Sequence, residues 1–325
     1  VKRRLVVMRG LPAALERWTD EKLEIDVFPE DRAPSPAELE AWVQDADGVV
    51  ALLSDRFDAT LIDACPRLRV IANYAVGYDN IDAIAAAERG IWVTNTPDVL
   101  TDATADLTWA LILGLARRLR EAESVIREGR VWEWKPGMLL GRELRGATLG
   151  ILGFGRIGQA VARRAQGFGM QTIVTTRRTL GSEASSVFGV EQVSFDELLE
   201  RSEVLSIHCP LTDQTFHRFG EDEFRRMRRD AYVINTARGP IVDEAALVRA
   251  LEEGQLAGAG LDVFEREPCV EPGLVESPRV MLLPHIGSAT EWTRGRMAEI
   301  AMTNAVNVLL GGKPLNPVCA VPNPR

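Results

Sequence analysis

Residues Ala147–Gly158 read ATLGILGFGRIG, and the rest of the chain is best read outward from them. Thr148, Leu149, Ile151 and Leu152 form a short apolar run, the pattern of a strand that a parallel sheet buries on both faces. Gly153, Gly155 and Gly158 complete G-x-G-x-x-G, and a helical pattern, QAVARRA, begins at Gln159. Each glycine has a separate physical task. Gly153 permits the tight turn, Gly155 lets a pyrophosphate approach bare backbone, and Gly158 lets helix and strand pack closely, with the phosphates at the helix N-terminus. A strand before the glycines and a helix after them turn a common pattern into a specific one.

At 325 residues and 46% apolar composition the chain has material for two domains of ordinary size. No apolar run approaches a membrane span. The opening VKRRLVVMRGL resembles a leader, but Arg9 and Glu16-Arg17 interrupt it too early, so a first strand is expected there. The formal charge is −9, from 38 Lys+Arg against 47 Asp+Glu, which argues against nucleic acid or an anionic membrane as partner. A small anionic ligand is compatible with it where positive charge gathers locally. Cys65, Cys209, Cys269 and Cys319 form neither C-x-x-C nor a zinc spacing with histidine, so no metal site is expected. Cys65 and Cys209 lie in apolar contexts and read as inert core thiols. A reducing cytoplasm fits.

Strands are expected at 4–8, 48–53, 68–72 and 91–94, with a helix at 37–45 opened by Ser35 as N-cap and Pro36 at its first position. The loop Asn73–Asn80, NYAVGYDN, follows a strand, where open parallel sheets bind ligands. Residues 98–128 read as one long helix, apolar around most of its circumference, leading into the second domain. GRVWEWKPGMLL, Gly129–Leu140, reads as a protruding arm that packs on a partner. Beyond the glycine motif, strands are expected at 172–175, 204–208, 231–235, 258–263 and 280–283. Helices are expected at 195–202, at 243–253 with Gly254 as stop, and at 290–310, before a Pro-rich extended tail. Strand and helix alternate throughout, which gives an α/β fold with mostly parallel sheets.

The motifs GFGRIGQA, NTARGPIVDEAAL, AGAGLDVFEREP and LLPHIGSAT, in this order and spacing, resemble those of the D-isomer-specific 2-hydroxyacid dehydrogenases, most nearly the glyoxylate/hydroxypyruvate reductases. The resemblance runs from about Gly48 to Gly311. It implies two Rossmann-like, doubly wound domains with a cleft between them. Residues 1–97 with 289–325 would form the substrate-binding domain and 98–288 the dinucleotide-binding domain. It also implies reduction of a small 2-keto acid to the D-2-hydroxy acid. Separately, the broad apolar face of 98–128 and Trp132, Trp134 and Met138 of the arm 129–140 lead to the expectation of a homodimer with both in its interface. Other readings on the same fold are a dehydrogenase for a different D-2-hydroxy acid and a non-catalytic dinucleotide sensor like the related corepressors.

The resemblance also assigns residues. Arg238, with a rigid fork of donors that cannot titrate away, would grip the substrate carboxylate and polarise the carbonyl. His285 would deliver the proton to the carbonyl oxygen, and Glu267 would pair with it and stabilise its charged form. Glu265 is expected to be solvated, and His208 and His217 to be structural, with His217 at the surface. Asp262 would bond the nicotinamide carboxamide. Leu53, Val76 and Gly77 would complete the substrate site with Arg238 and His285. A lysine at the position of Val76 would signal phosphite oxidation, and none stands there. On the cofactor side the same resemblance places Thr104, Gly153, Gly155, Arg156, Ile157, Gly158, Cys209, Pro210, Thr215, Ala237 and Gly287. In the family an aromatic from the neighbouring subunit's arm can touch the substrate. Met138 stands at that position here, with Trp134 the nearest aromatic, which bears on glyoxylate against hydroxypyruvate.

An NAD-selective site ends its second strand with an acid about 20 residues past the glycines. Here Thr176 stands 18 residues past Gly158 (176 − 158), and Arg177 and Arg178 follow it. No acid repels a 2′-phosphate, so NADP(H) is the expected preference and NAD(H) the alternative.

Overall fold

The computed structural model describes residues 2–13 and 15–325. Its first elements are β1 (Arg3–Val7), β2 (Leu23–Val27), α1 (Pro36–Val43), β3 (Gly48–Ala51), α2 (Ala59–Asp63), β4 (Val70–Asn73), α3 (Ala83–Glu88) and β5 (Trp92–Thr94). There follow α4 (Thr101–Ala116), α5 (Leu119–Arg127), β6 (Thr148–Leu152), α6 (Arg156–Gly167), β7 (Gln171–Thr175), α7 (Ser182–Phe188), β8 (Val190–Gln192), α8 (Phe195–Arg201) and β9 (Val204–Ile207). The last are α9 (Glu221–Arg226), β10 (Tyr232–Asn235), α10 (Glu244–Glu252), β11 (Gly258–Leu261), α11 (Pro272–Glu276), β12 (Val280–Leu282) and α12 (Glu291–Leu309). They divide into two compact units, Val1–Leu100 with Ser288–Arg325, and Thr101–Gly287.

The first unit is a parallel sheet in the order β2-β1-β3-β4-β5. Side chains alternate across it as a pleated strand requires. Val6, Met8, Val49 and Ile71 join one core with Leu39, Val43, Ile62 and Ala86 of α1–α3. Leu5, Val7, Val50 and Val70 join another with Ala301, Met302, Ala305 and Leu309 of α12. Alpha-helix α1 begins where its cap dictates. The Ser35 hydroxyl accepts from the Glu38 amide at 3.3 Å, and the Glu38 carboxylate accepts from the Ser35 amide at 2.7 Å.

The second unit is a seven-stranded parallel sheet in the order β12-β11-β10-β9-β6-β7-β8. The order reverses at β6, which lies between β9 and β7, and the loop after such a strand is where open sheets bind ligands. One face of the sheet packs on Trp109, Leu111 and Ile112 of α4 and Val161 of α6. The other packs on Leu198, Phe224 and Leu247 of α8, α9 and α10.

The expected single helix over 98–128 is two helices. Its first part, α4, buries Trp109, Leu111 and Ile112, and Gly114 lies so close to β12 that a Cβ there would come within 2.5 Å of the Met281 sulfur. The helix then stops because returning chain takes its end: the Arg142 amide donates to the Ala116 carbonyl at 2.7 Å. Arg118 turns into the left-handed region at φ 52°. The following α5 is amphipathic and buries none of its described residues, so the broad apolar character belongs to α4 alone. The strands β2 and β8, absent from the sequence expectations, each lie at one edge of their sheet, with polar residues that an edge tolerates.

Candidate active site

The turn after β6 shows why its glycines differ. Gly153 has φ 92°, and a Cβ on it would lie 2.6 Å from the Cys209 amide nitrogen. A Cβ on Gly158 would lie 2.3 Å from the Gly153 carbonyl oxygen. Both positions are closed to any side chain. Gly155, the N-cap of α6, faces open space instead. Bare backbone at a helix N-terminus, with room in front of it, fits the pyrophosphate of a dinucleotide. Arg156 and Ile157 occupy the first turn of that helix. The Gly153 amide donates to the Thr175 carbonyl at 2.9 Å, so the end of β7 lies beside the turn. Thr176 leaves from that end, followed by the exposed Arg177 and Arg178. Gln192 ties this segment back, donating to the Thr176 and Arg178 carbonyls at 3.4 and 3.2 Å. His208 and Cys209 lie against Gly153, and Pro210 follows them. Burial pushes the Cys209 thiol up to about 11, against the pull of the Arg177 and Arg218 charges, so it stays protonated. The Thr215 hydroxyl donates to the Pro210 carbonyl at 2.7 Å and closes its own turn.

Strands β10, β11 and β12 are neighbours, so the loops at their carboxyl ends converge. The first carries Ala237 and Arg238. Asn235 holds both, its side chain accepting from the Ala237 amide at 3.0 Å and donating to the Arg238 carbonyl at 2.9 Å. Gly239 packs backbone against backbone, since a Cβ there would fall 1.8 Å from the Phe264 carbonyl carbon. This seats the arginine loop on the loop after β11. In that second loop the Phe264 amide donates to Glu267 Oε1 at 3.0 Å, and the other oxygen, Oε2, lies 2.8 Å from His285 Nδ1. Burial opposes ionisation of Glu267, but the His285 bond and charge, the Phe264 amide and the Arg238 charge outweigh it and hold the acid below the ordinary glutamate range. It is therefore an ionised acceptor, and His285 Nδ1 is the donor.

His285 adopts φ 54°, which an L-residue takes only where its surroundings impose it. Asp262, 1% exposed, imposes it here: its two oxygens accept from the Ile286 and Gly287 amides at 2.7 and 2.8 Å. Burial raises the Asp262 pKa despite those amides and the His285 charge. Thr104, 4% exposed, donates to the Gly287 carbonyl at 3.2 Å.

One expectation needs correction: Glu265 is not merely solvated but is held by several partners, one of them His217, a structural histidine whose side chain is 34% exposed. His217 Nε2 lies 2.7 Å from Glu265 Oε1, and the Glu265 and Glu244 side chains each accept from the other's backbone amide, at 3.0 and 2.7 Å. Residues His217–Phe219 run along Pro240–Val242, where the His217 amide donates to the Pro240 carbonyl, and this brings His217 to Glu265. His208 is held neutral, burial driving its pKa down to about 3, with Nε2 2.8 Å from Ser206 Oγ. Sequence reasoning also passed over Asn235, Thr108 and Thr236. A threonine pair at i and i+4 on α4 was the signal available.

In the first unit, Leu53 lies in the turn after β3 and is half-buried. Val76 and Gly77 lie in the loop after β4, their carbonyls accepting from Asn95 and Asn73, both at 2.8 Å. Asn80 links this loop to the Leu53 turn through the Leu52 and Asp55 carbonyls, both at 3.0 Å. No helix among the described residues is long and apolar enough to cross a membrane. Among the described residues no group of three or more His, Cys, Asp or Glu could hold a metal.

Residues 109–287 match the D-isomer specific 2-hydroxyacid dehydrogenase NAD binding domain. The chain is 46% identical over 321 residues to a glyoxylate reductase of Thermococcus litoralis, covering 97% of this chain and 96% of that one. Its fold superposes on a crystal structure of a Thermus thermophilus protein with a TM-score of 0.90 at 45% identity, over 97% of this chain and 100% of that one. It also superposes on an NADPH-dependent glyoxylate/hydroxypyruvate reductase of Sinorhizobium meliloti, solved with NADP and malonate, with a TM-score of 0.85 at 36% identity, over 100% and 99%. With two doubly wound sheets and a glycine turn shaped for a dinucleotide, the chain belongs to the D-isomer-specific 2-hydroxyacid dehydrogenases, enzymes that use a nicotinamide dinucleotide.

Proposed function

We propose that the protein reduces glyoxylate, hydroxypyruvate or both to the D-2-hydroxy acid, with His285 as proton donor. The reading rests on the His285–Glu267 pair, 2.8 Å apart at the carboxyl ends of adjacent strands and within reach of the Arg238 charge. When bound, the reduced nicotinamide supplies the hydride that the keto carbon accepts. Arg238 binds the substrate carboxylate and draws electron density from the adjacent carbonyl. Nδ1 of His285 is engaged by Glu267, so Nε2 is the nitrogen that gives its proton to the carbonyl oxygen. Asp262 orients the nicotinamide carboxamide, and the same aspartate fixes the loop that presents His285. The Val76 and Gly77 amides bind the substrate, and Leu53 limits its size.

NADP(H) is the preferred coenzyme in this reading. Thr104, Arg156, Ile157, Cys209, Pro210, Thr215, Ala237 and Gly287 line its site with the three glycines. Thr176 offers a hydroxyl, and Arg177 and Arg178, both exposed beside the glycine turn, offer charge to the 2′-phosphate. One charge-assisted contact is worth about 1.5–3 kcal/mol, or roughly ten- to a hundredfold in kcat/KM for NADPH over NADH. The apolar arm exposes Trp132 at 54% and Trp134 at 79%, and a second copy covering them makes a homodimer. Mixing the protein with NADPH and a panel of small 2-keto acids, and following nicotinamide absorbance, tests the activity. Turnover of none of them would refute it. Repeating the assay with NADH, and with an Arg177→Ala/Arg178→Ala variant, tests the coenzyme. An NADH preference, or a ratio the double variant leaves unchanged, would refute that part.

A further inference from the structure

We infer that Thr108 is a positioning residue that holds the Arg238 and His285 loops in one fixed relation. It is fully buried at 0% exposure, on the second turn of α4, and none of the roles above uses it. Its hydroxyl donates to the Thr104 carbonyl at 2.8 Å and lies 3.0 Å from the Thr236 hydroxyl. Thr108 has one proton, and the Thr104 carbonyl takes it, so Thr236 is the donor between the two hydroxyls. Thr104 in turn donates its own hydroxyl proton to the Gly287 carbonyl. Gly287 and Ile286 donate their amide protons to Asp262.

The donors therefore run in one direction, from Thr236 through Thr108 and Thr104 to Gly287 and Asp262. Thr236 is two residues from Arg238, and Gly287 is two residues from His285. The helix α4 is the rigid body between them, clamped against β12 at Gly114. Every hydroxyl in the series is at most 8% exposed, so water cannot replace a lost bond without entering the core. The chemistry needs the carboxylate anchor and the proton donor at a set separation, and rate falls steeply when that separation drifts. Thr108 touches neither substrate nor coenzyme in this account and acts through the two loops.

The inference rests on the proposed activity for its kinetic consequences but not for its structural ones. The test compares Thr108→Val, which keeps the shape and removes the hydroxyl, with Thr108→Ser, which keeps the hydroxyl. Thr236→Val cuts the same bond from its other end, in a loop where the substitution disturbs the core less. The expected loss in kcat/KM for glyoxylate reduction is about tenfold or more for either valine variant, with kcat falling as well as KM rising. Serine should restore it. The Thr108→Val/Thr236→Val double variant should lose no more than the worse single one, as removal of one shared bond requires.

The protein has three histidines, so imidazole resonances give a readout independent of turnover. The His285 resonance should move in both valine variants, while those of His208 and His217, held by Ser206 and Glu265, stay. An unmoved His285 resonance with unchanged kcat/KM in Thr236→Val would overturn the inference, as would full additivity in the double variant. If the wild-type protein reduces no 2-keto acid, the activity fails separately, and the His285 resonance alone decides whether Thr108 positions the loop.

Discussion

Two glutamates two residues apart, Glu265 and Glu267, each hold a histidine, His217 at 2.7 Å and His285 at 2.8 Å. The contacts are nearly equal in length, and their surroundings differ. Glu265 is knotted into backbone: its side chain takes the Glu244 amide, and its own amide is taken by Glu244. His217 is bonded there through Nε2 and stacks on Phe216 at 4.2 Å. Glu267 feels the Arg238 charge, and His285 is bonded through Nδ1, on a backbone that Asp262 holds in the left-handed region. Proton donation is proposed for His285 and not for His217, and the two pairs differ in the ring nitrogen engaged and in the imposed backbone conformation at His285.

The sharpest way to break this comparison is to remove each histidine in turn. His285→Ala should lower kcat for keto-acid reduction by roughly 10²–10⁴-fold, the usual weight of a general acid. His217→Ala should leave kcat within about twofold, since it removes a support and no proton donor. Equal losses in the two variants would place both pairs in the chemistry and refute the distinction drawn above.

Arg238→Ala removes the charge that acts on Glu267. Loss of one charged donor to a carboxylate costs about 1.5–3 kcal/mol, so KM for the keto acid should rise roughly ten- to a hundredfold, before any loss from carbonyl polarisation. A near-normal KM and kcat would refute the assignment.

These residues were unevenly legible. Sheets, glycine turn and parallel order follow from short apolar runs alternating with helical ones, because burial on both faces leaves a pattern in the residues themselves. Strand β2, LEIDV, carries an alternating pattern that the reading passed over, while β8, VEQ, is too short to carry one. The break at Arg117–Arg118 was invisible because the Arg142 amide that ends α4 comes from 26 residues beyond Ala116 (142 − 116). Glu265 looked solvated for the same reason: its partners, His217 and Glu244, are distant in sequence, and only the fold brings them to it. Thr104 and Thr108 share a helix face by spacing alone, but nothing in the sequence says that Thr236 lies opposite.

Replacing each carboxylate by its amide gives a finer contrast. In Glu267→Gln the ionised acceptor of the His285 Nδ1 proton is lost. Under the proposed function that carboxylate supports the proton transfer, so kcat/KM should fall and its pH profile should change. The Glu267 pKa is lowered in the fold, so the stabilisation its ionised form provides is present above the unfolded-state value and is lost as pH falls through the folded one. The variant should lack that loss. A kcat/KM profile that does not move would separate Glu267 from the proton transfer.

The smallest effect belongs to Glu265→Gln. Its side-chain oxygen can still accept from the Glu244 amide, and the new NH2 or the oxygen can still meet His217 Nε2 in whichever tautomer it holds. One neutral hydrogen bond replaces a stronger one, which amounts to about 1 kcal/mol of stability, or a few degrees in Tm for a domain of this size. The His285–Glu267 pair has its own amide donor at Phe264. Glu265→Gln should therefore lower Tm slightly, hold kcat within about twofold and leave the pH profile of reduction in place. A profile that shifted as far as that of Glu267→Gln would show the two pairs to be one coupled proton system, and the turn between them would then be a conduit for charge, not a partition.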